Sequence, residues 1–235
     1  MNQKENNKQI IIIGGGPAGV TAAIQLKRYG LLPLLLERRE IGGLLWNANL
    51  VENYPGFPNG VRGEKLIGLM KRQMERIGVD VKREEVVGVE LDGDEFVVHT
   101  ESVKRKADYL VIATGTKAKP LPDVISPAAR SRVFTDVWPL TAVKEKQIVI
   151  VGAGDAAFDY GLNLSKNRNF VTILNRGDSV KCLGLLFKRA AQEPLITYRA
   201  GVAVRQVTSD EAATRLVVRY ETVERDSISP YEDAK

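Results

Sequence analysis

One short pattern occurs twice in this chain, and it limits the fold more than any other feature. The first copy is Ile10-Ile11-Ile12-Ile13-Gly14-Gly15-Gly16-Pro17-Ala18-Gly19, and the second is Ile148-Val149-Ile150-Val151-Gly152-Ala153-Gly154-Asp155-Ala156-Ala157. In the first, the β-branched run reads as a buried parallel strand. Glycines then take the first and third places of a six-residue fingerprint, and Gly19 or Ala157 takes the sixth. The spacing has a physical cause. The first glycine makes a tight turn, the second lets a pyrophosphate approach the backbone, and the small sixth residue lets helix and strand pack closely. The helix N-terminus presents free N–H groups and a positive dipole end to the phosphates. Two such units predict an α/β chain with two Rossmann-like three-layer dinucleotide-binding domains.

The copies differ at the next strand. After the first, a helix with Val20, Ala23, Leu26 and Tyr29 on one face leads to a strand, Leu31 to Leu36, that ends at Glu37, eighteen residues past Gly19. A carboxylate there accepts hydrogen bonds from ribose hydroxyls. After the second, a helix runs through Leu164, and the strand Phe170 to Leu174 ends at Asn175-Arg176, where an acid is expected. Arginine pairs with a 2′-phosphate that an acid would repel. Arg176, with Lys181 behind it, is therefore read as favouring NADPH over NADH; the alternative is two ordinary surface residues. Two unlike fingerprints predict two unlike dinucleotides, FAD and NAD(P)H, a pair that moves a hydride from nicotinamide to flavin.

Between the copies, Glu64 to Ile77 reads as a helix. Val86 to Leu91, Phe96 to Thr100 and Tyr109 to Ile112 read as a small antiparallel meander. A second meander is expected from Val202 to Val207 and Arg215 to Thr222. The Pro- and Lys-rich stretch Lys117 to Pro122 reads as a linker and a hinge for the second domain. The expected domains are 1–118 for FAD and 119–225 for NAD(P)H, with 226–235 starting a return linker.

Composition narrows the chemistry. The 235 residues include one cysteine and one histidine, which excludes an intramolecular disulfide framework, a Cys-based metal or cluster site and a multi-His metal centre. No apolar run reaches membrane-spanning length, and the polar N-terminus is no signal peptide, so the expected location is cytoplasmic. The net charge of +5 is read as a solvated basic surface rather than a nucleic-acid site, because no basic run is interleaved with aromatics. His99 reads as a surface or satisfied histidine, and Cys182 as an unreactive structural thiol.

The residues Gly42-Gly43-Leu44 followed by Val51-Glu52-Asn53-Tyr54-Pro55-Gly56-Phe57-Pro58, together with Ala113-Thr114-Gly115 and the two fingerprints, resemble the two-dinucleotide-binding-domain flavoproteins. Within this pyridine nucleotide-disulfide oxidoreductase superfamily, the chain is similar to the thioredoxin reductase group over essentially its whole length. The resemblance implies that Gly14, Gly16, Pro17, Ala18 and Gly19 hold the FAD pyrophosphate. It implies that Glu37 and Arg38 hold the adenosine side, that Val86 offers its backbone to the adenine, and that Gly42, Gly43, Leu44 and Asn53 line the ribityl and ring side. Ala113, Thr114 and Gly115 resemble the crossover motif. Gly152, Gly154, Asp155 and Ala156 resemble the NADPH fingerprint. Asn175-Arg176-Gly177 with Lys181 resembles a 2′-phosphate motif that is usually His-Arg-Arg with a later arginine.

Two departures shape the expected function. The family's Cys-x-x-Cys positions fall on Thr135 and Trp138, and neither forms a flavin-reducible disulfide, so the catalytic residues are left unassigned. Thr135 and Asp136 are read as an N-cap pair, and Trp138 as core, with an interface or flavin contact left open. The second departure is that no later Gly-Asp follows the second domain. The chain reads as a fragment rather than a natural short form, with one flank of the flavin site missing and weakened FAD binding. The expectation is an NAD(P)H-dependent flavoprotein oxidoreductase that passes electrons to a small-molecule or small-protein acceptor, a homodimer when full length. The alternatives are a thioredoxin-disulfide reductase with its cysteines outside this chain, or a non-catalytic nucleotide-binding module.

Overall fold

A computed structural model describes residues 8–118, 123–212 and 214–223. The expected return linker, 226–235, and most of the Lys117 to Pro122 hinge lie outside the described residues. The chain divides into two compact units, 1–117 and 118–235.

The first unit opens with β1 (Ile10–Ile13), α1 (Pro17–Arg28) and β2 (Pro33–Glu37), followed by α2 (Gly63–Ile77) and β3 (Asp80–Arg83). A meander of β4 (Val86–Asp92), β5 (Glu95–Thr100) and β6 (Lys104–Ala107) precedes β7 (Tyr109–Ile112). The main sheet runs β3-β2-β1-β7, and every pairing in it is parallel. All four residues of β1 are buried because the sheet is covered on both faces. Ile12 packs with Val20, Ala23, Leu66 and Met70 on the helical side. Ile11 and Ile13 pack with Val98 and Ala107 on the meander side. The two-residue side-chain period of a strand thus builds three layers from four isoleucines. Pro17 at the start of α1 fixes a helical φ where its missing N–H costs nothing. Gly78, at φ 71°, ends α2 in the left-handed conformation.

Two expectations change here. Tyr109–Ile112 is not the last meander strand but pairs parallel with β1, and the antiparallel sheet β4-β5-β6 is completed by Lys104–Ala107. The Lys-Arg-Lys-Ala sequence hides that strand, since it contributes only Ala107 to the core while Arg105 pairs with Glu84. Tyr29 also leaves the α1 face: it lies just past the helix and is 68% exposed, while Ile24 takes a buried place.

The second unit repeats the βαβ plan with β8 (Gln147–Val151), α3 (Asp155–Ser165), β9 (Phe170–Leu174), α4 (Gly184–Ala191) and β10 (Ile196–Arg199). Its sheet is β10-β9-β8, again parallel, and β11 (Val202–Ser209) and β12 (Leu216–Thr222) form an antiparallel pair. Phe158 of α3, Phe187 of α4 and Tyr198 of β10 meet in a three-ring cluster with centroids 5.6 to 5.8 Å apart. The fully buried Asn169 is satisfied: it accepts the Lys146 N–H and donates to the carbonyls of Val143 and Leu164. No helix among the described residues is long and apolar enough to cross a membrane.

Candidate functional site: two glycine turns

In the first unit, Gly14 sits at φ 105°, a region closed to most side chains, and a Cβ there would overlap the Ala113 carbonyl. Its N–H donates to the Leu36 carbonyl at 2.8 Å, and the Ala113 N–H donates to Ile13 at 2.8 Å, so β2 and β7 close the turn from both sides. A Cβ on Gly19 would overlap the Gly14 carbonyl oxygen. Gly16 is different: nothing lies within 4 Å of the place its Cβ would take, and no side chain caps α1. Pro17 has no donor, so Ala18 and Gly19 supply the first-turn N–H groups that a helix leaves without an internal partner. An open space facing free donors fits the pyrophosphate of a dinucleotide.

Glu37 borders this cradle. Its Oε2 accepts the Gly15 N–H at 2.6 Å and its Oε1 accepts the Arg39 N–H at 2.9 Å. Each carboxylate oxygen keeps further acceptor capacity, so ribose hydroxyls fit there as well. The Glu84 N–H donates to the Glu37 carbonyl at 3.0 Å, which draws the start of β4, Val86, toward the end of β2. Arg38 pairs with Glu85 at 3.5 Å. Gly42, at φ 126°, donates to the Gly15 carbonyl at 2.8 Å, and a Cβ on Gly43 would come within 3.2 Å of the Gly16 Cα. Gly14, Gly16, Gly19, Glu37, Gly42, Gly43, Ala113 and Thr114 are therefore brought together. Leu44 and Asn53 are exposed and make no hydrogen bond to the turn among the described residues. Asn53 instead lines a surface concavity of about 380 Å³ formed by Glu52 to Pro58. Gly115 is exposed at φ 67°.

In the second unit, Gly152 takes φ 125° and donates to the Leu174 carbonyl at 2.8 Å. Gly154 precedes α3 without a side-chain cap, and its missing Cβ would face only the Lys181 carbonyl, at 3.8 Å. Ala157 at the sixth place is buried, so the closer glycine approach of the first unit is not required here. Residues 181–183 run along this turn: Lys181 N–H donates to the Ala153 carbonyl at 3.0 Å, and the Asp155 carboxylate accepts the Leu183 N–H at 2.7 Å. Ala156 is exposed. Arg176 and Lys181 are exposed, and neither side chain meets a carboxylate among the described residues. This turn also fits a dinucleotide, with cations at the edge where Glu37 stands in the first unit.

Sequence reasoning missed Asn175 as an organiser of that edge. Its side chain makes three hydrogen bonds, to the Ser179 carbonyl, the Tyr198 hydroxyl and the Gly177 N–H. The signal was present as an Asn two residues before a glycine, a common side-chain-to-backbone turn.

The dithiol positions are also resolved. Trp138 is 45% exposed rather than core, and Val137 beside it is the buried residue, at 2%. Thr135 and Asp136 do not cap the short 3₁₀ helix Trp138–Leu140; Val137 precedes it and no side chain caps it. Cys182 is half-buried, and burial, with the nearby Asp155 carboxylate, pushes its thiol up. His99 contacts Glu90 at 2.8 Å on the meander.

Two Rossmann-type units in one chain, each carrying a glycine turn shaped for a dinucleotide, define a two-dinucleotide protein class. A pyridine nucleotide-disulphide oxidoreductase family model matches residues 8–229. A thioredoxin reductase of Streptomyces clavuligerus is 34% identical over 218 residues, which are 90% of this chain and 67% of that protein. A bifunctional thioredoxin reductase/thioredoxin of Mycobacterium leprae is 31% identical over 93% of this chain and 48% of its own length. The crystal structure of Lactococcus lactis thioredoxin reductase superposes with a TM-score of 0.83 at 29% identity, covering 93% of this chain and 72% of that one. The chain belongs to the pyridine nucleotide-disulphide oxidoreductases, in their thioredoxin reductase-like group, whose members are NAD(P)H-dependent flavoproteins using FAD and NADPH.

Proposed function

We propose that this chain takes reducing equivalents from NADPH through FAD to a small-molecule or small-protein acceptor, without a redox dithiol of its own. The observation that carries the reading is the pair of open glycine turns of opposite edge chemistry: Glu37 beside the first, Arg176 and Lys181 beside the second. When bound, the nicotinamide supplies a hydride and the flavin accepts it.

The residues' part is binding and orientation. The N–H groups of Ala18 and Gly19, reached across Gly16, hold the FAD pyrophosphate, with Gly14 and Pro17 fixing the turn. Glu37 holds the adenosine ribose, Arg38 stands at its edge, and Val86 offers its backbone to the adenine. Gly42, Gly43, Leu44 and Asn53 serve the ribityl and ring side, with Ala113, Thr114 and Gly115 at the crossover. Gly152, Gly154, Asp155 and Ala156 form the NADPH pyrophosphate turn, and Arg176 and Lys181 pair with the 2′-phosphate. The domains are taken as 1–118 and 119–225. Thr135 and Trp138 at the family's dithiol positions, and the raised thiol of Cys182, support direct transfer to the acceptor. Relatives named for thioredoxin favour a small-protein acceptor. A cytoplasmic location, no nucleic-acid binding and a homodimer when full length complete the reading.

Stopped-flow mixing of the FAD-loaded protein with NADPH or NADH tests it. Bleaching of the flavin absorbance is expected, faster with NADPH. Absence of bleaching with both nucleotides rejects the function.

A further inference from the structure

We infer that Asn175 and Tyr198 are positioning residues that set the chain's preference for a 2′-phosphorylated nucleotide. The inference rests on the reading of Arg176 as the 2′-phosphate ligand. Arg176 lies in an exposed loop after β9, a segment that would ordinarily sample many conformations. Here the loop is tied at several points. Asn175 Nδ2 donates to the Ser179 carbonyl and to the Tyr198 hydroxyl, each at 2.9 Å, while its Oδ1 accepts the Gly177 N–H at 3.1 Å. The backbone adds the Asn175 N–H to the Arg199 carbonyl at 2.8 Å and the Gly201 N–H to the Gly177 carbonyl at 3.2 Å.

Both N–H groups and the carbonyl of the Asn175 amide are thus engaged within the protein. Asn175 acts as a brace for its neighbour rather than as a ligand itself. The brace is anchored in turn. The Tyr198 ring packs against Phe158 at 5.7 Å and Phe187 at 5.8 Å, and Phe158 is a buried residue of α3, the helix whose N-terminus faces the pyrophosphate site. One contiguous path therefore links the phosphate helix to the loop bearing Arg176: Phe158, Tyr198, Asn175, Arg176. A loop whose backbone is already held has less conformational freedom to lose when Arg176 pairs with a phosphate than a loose loop has.

Isothermal titration of the full chain with adenosine 2′,5′-bisphosphate and with 5′-ADP separates the roles, because neither probe needs flavin. Tyr198→Phe keeps the ring cluster and removes only the hydroxyl, and Asn175→Ala removes the whole brace. Each is expected to weaken the 2′,5′-bisphosphate about fivefold to tenfold while leaving 5′-ADP within about twofold. Asn175→His, which keeps a side-chain donor, is expected to recover part of the loss. Equal weakening of both nucleotides, or no change in either with Tyr198→Phe, overturns the inference. Arg176→Ala reports on the underlying reading. If it leaves 2′,5′-bisphosphate affinity unchanged, the phosphate assignment itself fails; if it weakens that probe while Tyr198→Phe does not, only the positioning role fails.

Discussion

The Glu37 carboxylate accepts the backbone N–H of Gly15 at 2.6 Å, so the acid at the end of β2 is bonded to the centre of the glycine turn after β1. The residue read as a ribose ligand is therefore also part of the glycine turn itself. Gly15 is buried, and removing its acceptor leaves an amide without a partner. Glu37→Ala is expected to lower stability by about 1–3 kcal/mol and to weaken FAD binding at least tenfold. Denaturant unfolding and flavin absorbance retained after gel filtration check the two effects separately. A variant that loses FAD with unchanged stability would show that the bond to Gly15 contributes nothing to the fold.

Two places of the fingerprint, the sixth in the first copy and the third in the second, should respond differently to the same substitution. A Cβ on Gly19 would overlap the Gly14 carbonyl, so Gly19→Ala forces backbone atoms apart. Overpacking of this kind costs about 1–3 kcal/mol, and the first unit is expected to lose stability and FAD together. A Cβ on Gly154 meets only the Lys181 carbonyl at 3.8 Å, an ordinary contact. Gly154→Ala should keep its unfolding midpoint but fill the space where a pyrophosphate would lie, lowering NADPH affinity alone. Parallel thermal melts and nucleotide titrations of the two variants decide this.

These contrasts show what was legible in the sequence. The βαβ units were legible because glycine spacing and β-branched runs are local signals with local causes. Strand assignment around Tyr109 was not, because a four-residue apolar run reads the same in a meander and in a parallel sheet; only its pairing with β1 separates them. The strand Lys104–Ala107 was hidden because it is mostly charged, with Arg105 paired to Glu84 and Lys106 to Glu95. The places of Glu37, at the end of β2, and of Arg176, two residues past β9, were readable as charges beside the two turns. The brace of Asn175 was not, since its partner Tyr198 lies on another strand. Trp138 was misplaced because size and hydrophobicity suggest burial, whereas the short helix turns Val137 inward instead.

Glu84 and Arg105 give a pH dependence with a definite sign. Arg105 donates through two nitrogens, one at 3.0 Å, and holds the Glu84 carboxyl below the usual carboxylate range, with burial opposing. A depressed carboxyl pKa contributes stability that is fully present above the unfolded value, about 4.3, and is lost as pH falls through the folded value. Arg105→Met should remove up to about 1 kcal/mol at pH 7 and make the midpoint fall less steeply below about pH 4.3. Urea midpoints at several pH values, compared at constant m, provide the measurement. A parallel decline in both proteins would show that the pair is not the source.

Cys182 offers the last check, because it is the sole cysteine of the chain. Burial and the neighbouring Asp155 carboxylate both raise its thiol, and its Sγ lies 3.5 Å from the Leu183 carbonyl. The thiolate is the reactive form, so a raised pKa lowers its fraction at neutral pH. Alkylation by iodoacetamide at pH 7.5 is expected to run several-fold slower than for a free cysteine. Incubation with NADPH should leave the thiol count at one, since no disulfide within the chain can be opened. Cys182→Ser should keep flavin reduction by NADPH and transfer to the acceptor. A fast-reacting Cys182 would overturn the raised thiol, and loss of acceptor turnover in the serine variant would place a thiol in the electron path and reject direct transfer.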